Sequence, residues 1–353
     1  MKVKDKIITV DYHKTKKELI VHYRNAHGQK KVRRTKLMLY PLYVPIDRMK
    51  EFRKVCGDLI EYEGQKTFYS YDRKLELVKV EMNAQYWMDK KRESTRTRII
   101  KKFDLQQADI NPVQLHAVEN KLLWEKDVRH CYFDIETNGG LKVEGPEEEI
   151  TSLCFYLKKV DKYYVFSWHP SMDKVAVVKQ KNETYIVCNR EEIMLKYFIK
   201  WLRDNFNLID SLIGWNSSNF DIPYIINRLD RLGFNRMTVS PLAKYAWTFA
   251  PRGMRYNKIS GVNLIDYMEL YKKQVRKISP PNWKLDTIAE FEDLGIKKES
   301  EYTWRDWMSH FKGFLGYQVR DVELLVELEK KLQYVSFLSV FQDIVKLPLE
   351  MLI

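Results

Sequence analysis

Runs of apolar and β-branched residues near the start of the chain predict β-strands. These runs are IITVDY, ELIVHYRN and KKVRRTKLMLY, and the last two are joined through AHGQ, where Gly28 suits the turn of a hairpin. A helix is predicted in DRMKEFRKVCG, and a hairpin-like stretch follows from Thr67 to Met82. We therefore expect a β-rich α+β domain over residues 1–127.

From Val128 onward, short apolar runs alternate with segments of helical periodicity, which is the pattern of an α/β domain. The predicted strands are HCYFDIE, ITSLCFYLKK, KYYVFSW, SLIGW and GVNLIDY. The predicted helices are Glu191 to Phe206, DIPYIINRLDRLG closed by Gly233, LDTIAEFEDLG closed by Gly295, and Phe314 to Leu332. This second domain is expected to cover residues 128–333.

The last segment, residues 334–353, contains VSFLSVFQDIVKLPLEMLI and is unusually apolar for a free end. Two interpretations stay open. The segment either folds back on the chain or docks on something that this chain lacks.

The chain carries an excess of positive charge, which bears on its partners. Lys and Arg number 61 against 48 Asp and Glu, which gives a formal net charge of +13 and favours a polyanion such as nucleic acid over an uncharged partner. Good solubility would explain the same excess. The basic run from Lys90 to Lys102 is likewise either a solvated face or a nucleic-acid contact.

Cysteine usage and apolar run lengths exclude other classes. The four cysteines are scattered, with no CxxC or CxxH pair, so neither a zinc site nor a disulfide framework is predicted; they are Cys56, Cys131, Cys154 and Cys188. The start of the chain has no signal-like apolar core, and no run is long enough to cross a bilayer. We expect an intracellular protein with no membrane partner, cytoplasmic or nucleoid-associated.

The strand CYFDIET carries the first candidate chemistry. Alternation places Asp134 and Glu136 on one face, and two carboxylates side by side near the end of a buried strand repel each other unless a cation lies between them. A divalent metal ion is the simplest remedy. A solvent-facing acidic pair at the end of a strand is the alternative.

The second candidate is Asp221, in IGWNSSNFDIPYIINRL, at the junction of a strand-like run and a helix. Ligands of α/β proteins bind at such strand ends. An ordinary helix N-cap is the competing interpretation. The amide of Asn216 and the ring of Phe220 make the pattern more specific, because they suit a strand of nucleotides, although Phe220 could equally be core.

The third candidate lies in LGYQVRDVELLVELEKKL, where Tyr317 and Asp321 are four residues apart and share a helix face. A phenol beside a metal-binding carboxylate can orient an attacking water. Taken alone, Asp321 would more often be an ordinary surface acid.

Together these acids predict a two-metal site. Carboxylates in the order Asp-x-Glu, Asp, Asp can hold two Mg²⁺ or Mn²⁺ ions ~3.5–4 Å apart, one activating water and one stabilising the departing 3′ oxygen of a phosphodiester. The sequence has no GxSxG nucleophile, no Cys paired with a His motif and no GxxxxGK[ST] loop. Metal-dependent phosphodiester hydrolysis is the reaction this pattern favours.

FDIET, WNSSNFDIPYI and YQVRD resemble the three exonuclease motifs of family B DNA polymerases, in the same order and at compatible spacing. SGVNLIDYMELYKK resembles the segment before the third motif in T-even-type phage polymerases, and LIVHYRNAHGQKKVRRTKLMLYPLYVP resembles their N-terminal start. The resemblance covers nearly the whole chain and is clearest from Arg129 to Leu332. It implies an exonuclease domain of ribonuclease H-like architecture, with a mixed central sheet flanked by helices.

The resemblance also implies roles for the acidic residues. Asp134, Glu136 and Asp321 would hold the metal ion that activates water, while Asp134 and Asp221 would hold the second. Tyr317 would position the attacking water.

On the substrate side, the resemblance implies that Asn216 and Phe220 line the channel for the unpaired 3′ end and that Thr137 contacts the substrate. It further implies a lysine in the loop ahead of the third motif. Lys297 or Lys298 would fill that role.

The chain departs from the family in one respect. It carries no SLYPS-like segment, no lysine-bearing fingers helix and no YxDTDS-like motif, so we do not expect it to polymerise DNA. It would be a truncated polymerase or one part of a split one. The implied partners are the polymerase C-terminal half, in cis or as a separate chain, and a sliding clamp, in the host-cell cytoplasm if the protein is phage-encoded.

The predicted function is therefore a proofreading 3′-to-5′ DNA exonuclease that acts on single-stranded or frayed 3′ ends. Two alternatives stay open: a nucleic-acid-binding or assembly subunit with an idle exonuclease site, and an exonuclease directed at RNA.

Overall fold

The structure is a computed structural model that describes residues 5–13, 18–36, 39–70, 74–83, 93–106, 112–240, 246–249, 256–274, 279–295 and 302–353. The chain divides into two compact units. The larger one comprises Met1–Thr9, His22–Val32 and Leu123–Ile353, and the smaller one Val10–Val21 and Arg33–Leu122.

The smaller unit contains a three-stranded antiparallel sheet in the order β4-β6-β5. Its strands are β4 (Leu39–Pro45), β5 (Ile60–Tyr69) and β6 (Glu76–Asn83). Its helices are α1 (Met49–Cys56), α2 (Glu93–Phe103) and α3 (Pro112–Glu119). The β5–β6 pair confirms the hairpin predicted from Thr67 onward, and α1 confirms the first predicted helix.

A four-stranded sheet in the order β3-β2-β1-β7 includes the first strands of the chain. These are β1 (Lys6–His13), β2 (Glu18–Arg24), β3 (Lys30–Lys36) and β7 (Leu123–Trp124). The turn between β2 and β3 has Gly28 at φ +74°, and the Gly28 amide donates to the Asn25 carbonyl over 2.9 Å. This left-handed conformation explains the glycine that the sequence places there.

The larger unit is built on a mixed seven-stranded sheet in the order β11-β12-β10-β9-β8-β13-β16. Its strands are β8 (His130–Thr137), β9 (Ile150–Leu157), β10 (Lys162–Trp168), β11 (Ala176–Gln180), β12 (Glu183–Cys188), β13 (Ser211–Gly214) and β16 (Asn263–Asp266). Central strand β8 pairs antiparallel with β9 and parallel with β13. A separate two-stranded sheet joins β14 (Ala246–Phe249) and β15 (Tyr256–Ile259).

Helices cover both faces of the large sheet. They are α4 (Glu191–Asn205), α5 (Asp221–Arg231), α6 (Tyr267–Gln274), α7 (Leu285–Phe291), α8 (Phe311–Leu332) and α9 (Tyr334–Val345). One apolar core packs α4 and α5 against the sheet, and the other packs α6 and α8 against its opposite face. This arrangement confirms the predicted α/β fold class.

The last segment folds back onto the larger unit, as one of its two interpretations predicted. Val335 and Leu338 of α9 are buried, and so is Leu349 in the short helical turn that follows. All four cysteines are buried free thiols. Within the described residues, no helix combines the length and apolarity needed to span a membrane.

A buried ionic cluster ties the β2–β3 region to the large sheet. Asp210, fully buried just before β13, accepts hydrogen bonds of 2.6 and 2.7 Å from Arg24 and one of 3.0 Å from the Arg129 amide. The Lys30 ammonium lies 3.3 Å from Asp210, and burial lowers the pKa of Lys30 to about 8. Both cations compensate a carboxylate that could not be buried alone.

Candidate active site

Strand β8 divides its side chains between the two cores. Cys131, Phe133 and Ile135 belong to the core under α4 and α5, whereas Tyr132 belongs to the core under α8. Asp134 and Glu136 follow Tyr132 on that second face and are half-buried near the end of the strand. This division is the alternation that the sequence predicts.

Helix α8 packs against β8 and β9 and brings Asp321 to the same place. Asp134, Glu136 and Asp321 each offer an oxygen, and these oxygens all lie within 4.8 Å of one another. Carboxylate oxygens are the ligands that Mg²⁺ and Mn²⁺ prefer. The donor set therefore fits a divalent cation.

Tyr317 lies one helical turn before Asp321, and the charges of all three carboxylates affect its pKa. Burial raises its pKa most, followed by the negative charges of Asp321, Glu136 and Asp134 and by a hydrogen bond with Asp321. The phenol consequently stays protonated at neutral pH and can act as a hydrogen-bond donor.

Gln318 is a site residue that the sequence did not reveal. It is fully buried, and its side-chain amide donates to Asp134 Oδ2 over 2.8 Å. Its carbonyl oxygen accepts a hydrogen bond from Ser152 of β9, a residue paired in register with Glu136. Gln318 thus fixes the orientation of Asp134, whose Oδ2 faces helix α8.

Asp221 is not one of the residues whose oxygens all lie within 4.8 Å of one another. It is the first residue of α5, and Phe220 occupies the N-cap position, so the simple N-cap interpretation of Asp221 does not apply. The buried carboxylate accepts a hydrogen bond of 3.2 Å from the amide of Ile135, the residue between the two acids of β8. Burial, followed by the charge of Asp266, raises the pKa of Asp221 to about 7.

Asp266, at the end of β16, shapes the loop before α5 and is a second residue that the sequence did not reveal. Its carboxylate accepts hydrogen bonds of 3.1 Å from the Asn216 amide and 2.9 Å from the Ser218 amide. Asn216 has φ +56°, a left-handed conformation that asparagine tolerates. Phe220 is half-buried, with its ring 5.3 Å from that of Tyr224.

A buried ion pair holds α5 against the start of α4. The Arg228 guanidinium donates to Glu191 over 2.6 Å, and the same carboxylate accepts from the Ile150 amide over 2.8 Å. Both charged side chains are almost fully buried. The pair fixes the helix that begins with Asp221.

The other predicted substrate residues differ in their setting. The Thr137 side chain is buried, and its hydroxyl donates to the Gly140 carbonyl over 2.9 Å, which closes the turn after β8. Lys297 and Lys298 lie outside the described residues.

Comparison with known protein families decides the identity of the fold. The model of the family described as DNA polymerase family B, exonuclease domain, matches residues 67–288, which is more than half of the chain. The chain belongs to this family. Its mixed sheet and flanking helices are those of a ribonuclease H-like exonuclease domain, and family B exonuclease domains use divalent metal ions.

Individual polymerases are similar over shorter shares of their length. The DNA-directed DNA polymerase of Escherichia phage RB69 is 27% identical over 155 residues, 42% of this chain and 17% of the relative. That of Enterobacteria phage T4 is 25% identical over 260 residues, 63% of this chain and 28% of the relative. The DNA polymerase catalytic subunit of Saimiriine herpesvirus 2 is 30% identical over 173 residues, 44% of this chain and 16% of the relative. The chain thus spans less than a third of each.

Proposed function

We propose that this family B exonuclease domain is a 3′-to-5′ DNA exonuclease that removes the terminal nucleotide of single-stranded or frayed DNA, the proofreading reaction of a replicative polymerase. The observation that carries the proposal is the group formed by Asp134, Glu136 and Asp321, whose oxygens lie within 4.8 Å of one another in a domain of this family. The product is a nucleoside monophosphate.

Two Mg²⁺ or Mn²⁺ ions are the proposed cofactors. Asp134, Glu136 and Asp321 would hold one ion, and Asp134 together with Asp221 the other. When bound, such a pair of ions lowers the pKa of water and stabilises negative charge on the departing oxygen.

The protein contributes orientation and proton control. Tyr317 keeps its proton because its pKa is raised, so its hydroxyl can donate to Asp321 and still accept a hydrogen bond from the attacking water. Gln318 holds Asp134 in one rotamer, which limits how far the ligand set can rearrange. Asp221, with a pKa of about 7, needs a nearby positive charge to be fully ionised at neutral pH.

DNA is the proposed substrate, and the loop before α5 its proposed binding segment. Asn216 and Phe220 would contact the strand from this loop, whose Asn216 and Ser218 amides donate to Asp266, while Thr137 would act from the turn after β8. The net charge of +13 favours association with a phosphate backbone. The rest of a polymerase, in cis or as a separate chain, and a sliding clamp are the proposed protein partners.

The test is degradation of a 5′-labelled single-stranded oligodeoxynucleotide in the presence of Mg²⁺ or Mn²⁺. Asp134→Ala and Asp221→Ala should each abolish the ladder that shortens from the 3′ end, whereas Asp204→Ala, which removes an exposed carboxylate of α4, should leave it unchanged. EDTA should stop the reaction.

The outcomes separate the competing functions. Binding of the oligonucleotide without turnover would favour a binding module with an idle site, and faster loss of an RNA oligonucleotide would favour an RNA-directed enzyme. Full activity of Asp134→Ala would contradict the site assignment.

A further inference from the structure

A basic cavity lies away from the carboxylate site, where the segment before β8, the turn after β9 and helix α9 meet. It has a volume of about 520 Å³, within the ~300–1,000 Å³ range of ligand sites. Its charged and hydroxyl-bearing lining residues are Lys126, Asp127, Arg129, Lys158, Lys159, Ser336, Ser339 and Asp343. Four cations against two carboxylates leave it positively charged.

Both carboxylates are already matched by lysines. Asp127 lies 2.6 Å from Lys159, and Asp343 lies 2.8 Å from Lys346. Lys126 and Lys158 form no ion pair with a carboxylate of the described residues. Lys158 and His130 both line the cavity, and after burial the charge of Lys158 is the next cause of the pKa of His130 falling to about 4. The positive surplus therefore comes from residues that line the space a ligand would fill.

An exposed apolar face of α9 adjoins the cavity. Phe337 is 62% exposed, Phe341 40% and Ile344 70%, and the two phenyl rings stack with their centroids 5.9 Å apart. Since residues along an α-helix are separated by about 100°, this face lies next to the one formed by Ser336 and Ser339, with Val340 between them. Aromatic rings thus flank a cationic cavity.

We infer that this surface is a second binding site for single-stranded DNA, distinct from the carboxylate site. Lys126, Lys158 and Arg129 would hold phosphates in the cavity, and the rings of Phe337 and Phe341 would stack on the bases that leave it. Cationic grooves flanked by exposed aromatic rings bind single strands in this way without reading their sequence. The charge surplus favours DNA over an apolar protein surface, which would leave the lysines unmatched.

The probe is a fluorescently labelled circular oligodeoxythymidylate, measured by anisotropy in EDTA. A circle has no 3′ end, so it cannot place a terminal nucleotide at the carboxylates. Lys126→Glu combined with Lys158→Glu should weaken binding at least about tenfold at low salt and reduce the salt slope by about 0.7 for each phosphate that is no longer neutralised. Lys179→Glu, which reverses an exposed lysine of β11, is the matched control and should have no effect on affinity.

A second double variant tests the proposed stacking of bases on the phenylalanine rings. Phe337→Ala combined with Phe341→Ala should weaken binding of the circle by roughly 5- to 150-fold per stacked base. It should have no effect on a circle of abasic residues, which offers phosphates without bases. Val177→Ala, an exposed truncation on β11, controls for loss of apolar surface, and circular dichroism checks that each variant is folded.

Two results would overturn the inference. One is unchanged affinity for the circle in both double variants. The other is a change of oligomeric state in the phenylalanine variant, seen by light scattering, with binding of the circle retained, which would assign this face to a protein partner. If the wild-type protein binds the circle but does not degrade a linear oligonucleotide from its 3′ end, the result contradicts the proposed enzyme function and leaves this inference standing.

Discussion

Asp221→Asn should change how the stability of the metal-free protein depends on pH. The asparagine keeps the oxygen that accepts from the Ile135 amide, so the hydrogen bond of 3.2 Å can persist while the ionisable group is lost. In the wild-type protein, burial raises the pKa of Asp221 from 3.8 to about 7. The folded state therefore retains a proton that the unfolded chain releases.

The sign and the size follow from this difference. Below pH 4 the carboxyl is protonated in both states and contributes no difference in stability. Between pH 4 and 7 only the unfolded chain ionises, so the free energy of unfolding falls as the pH rises, by up to 1.36 kcal/mol per unit. Above pH 7 the accumulated loss reaches about 4 kcal/mol as an upper limit, and Asp221→Asn removes it.

The measurement is urea unfolding of wild type and Asp221→Asn in EDTA at several pH values between 4 and 8.5. The variant should gain stability relative to wild type as the pH rises, and most of the gain should appear before pH 7.5. Added Mg²⁺ should reduce the difference in free energy of unfolding between the variant and wild type, because a cation beside the carboxylate favours its ionised form. A difference in stability that is constant across this pH range would refute the reasoning.

Three further changes test the supports of the site. Gln318→Leu should raise the Mg²⁺ concentration for half-maximal activity about tenfold or more, because it removes the hydrogen bond that orients the proposed metal ligand Asp134. An unchanged Mg²⁺ titration would contradict this role. Gly140→Ala should lower the free energy of unfolding by about 1–3 kcal/mol, since the added Cβ would lie 2.5 Å from the Tyr224 hydroxyl. Gly57→Ala is the control and should be tolerated, because its Cβ would meet nothing within 4 Å. Arg228→Met should cost about 3–5 kcal/mol by leaving a buried carboxylate unmatched, whereas Lys200→Met, at an exposed pair, should cost less than about 1 kcal/mol in the same assay.

Much of the fold follows from local patterns. The alternation in β8 is visible in the sequence because one face is apolar without interruption, and the helix Glu191–Asn205 is visible because its apolar residues recur at helical spacing. The missed elements include strands β11, β14 and β15. Strand β11 is mostly exposed, and β14 and β15 are only four residues long each, so none of the three carries a periodic signal.

The candidate site was predictable only in part. The spacing of Tyr317 and Asp321 reveals their shared helix face, since that relation is local. Gln318 looks like any polar residue of a helix, and its role depends on Ser152, 166 positions away in sequence. Asp266 likewise acts through amides about fifty residues earlier. Such supports arise from tertiary contacts, which no pattern along the chain encodes.

The cluster around Asp210 limits how the protein can be shortened. A gene fragment starting at Val128 would remove Arg24 and Lys30 and retain the carboxylate that both cations compensate. That carboxylate lies just before β13, the strand that leads to the loop of Asp221. Anyone preparing a minimal version for crystallisation or kinetics should therefore keep the β2–β3 hairpin attached.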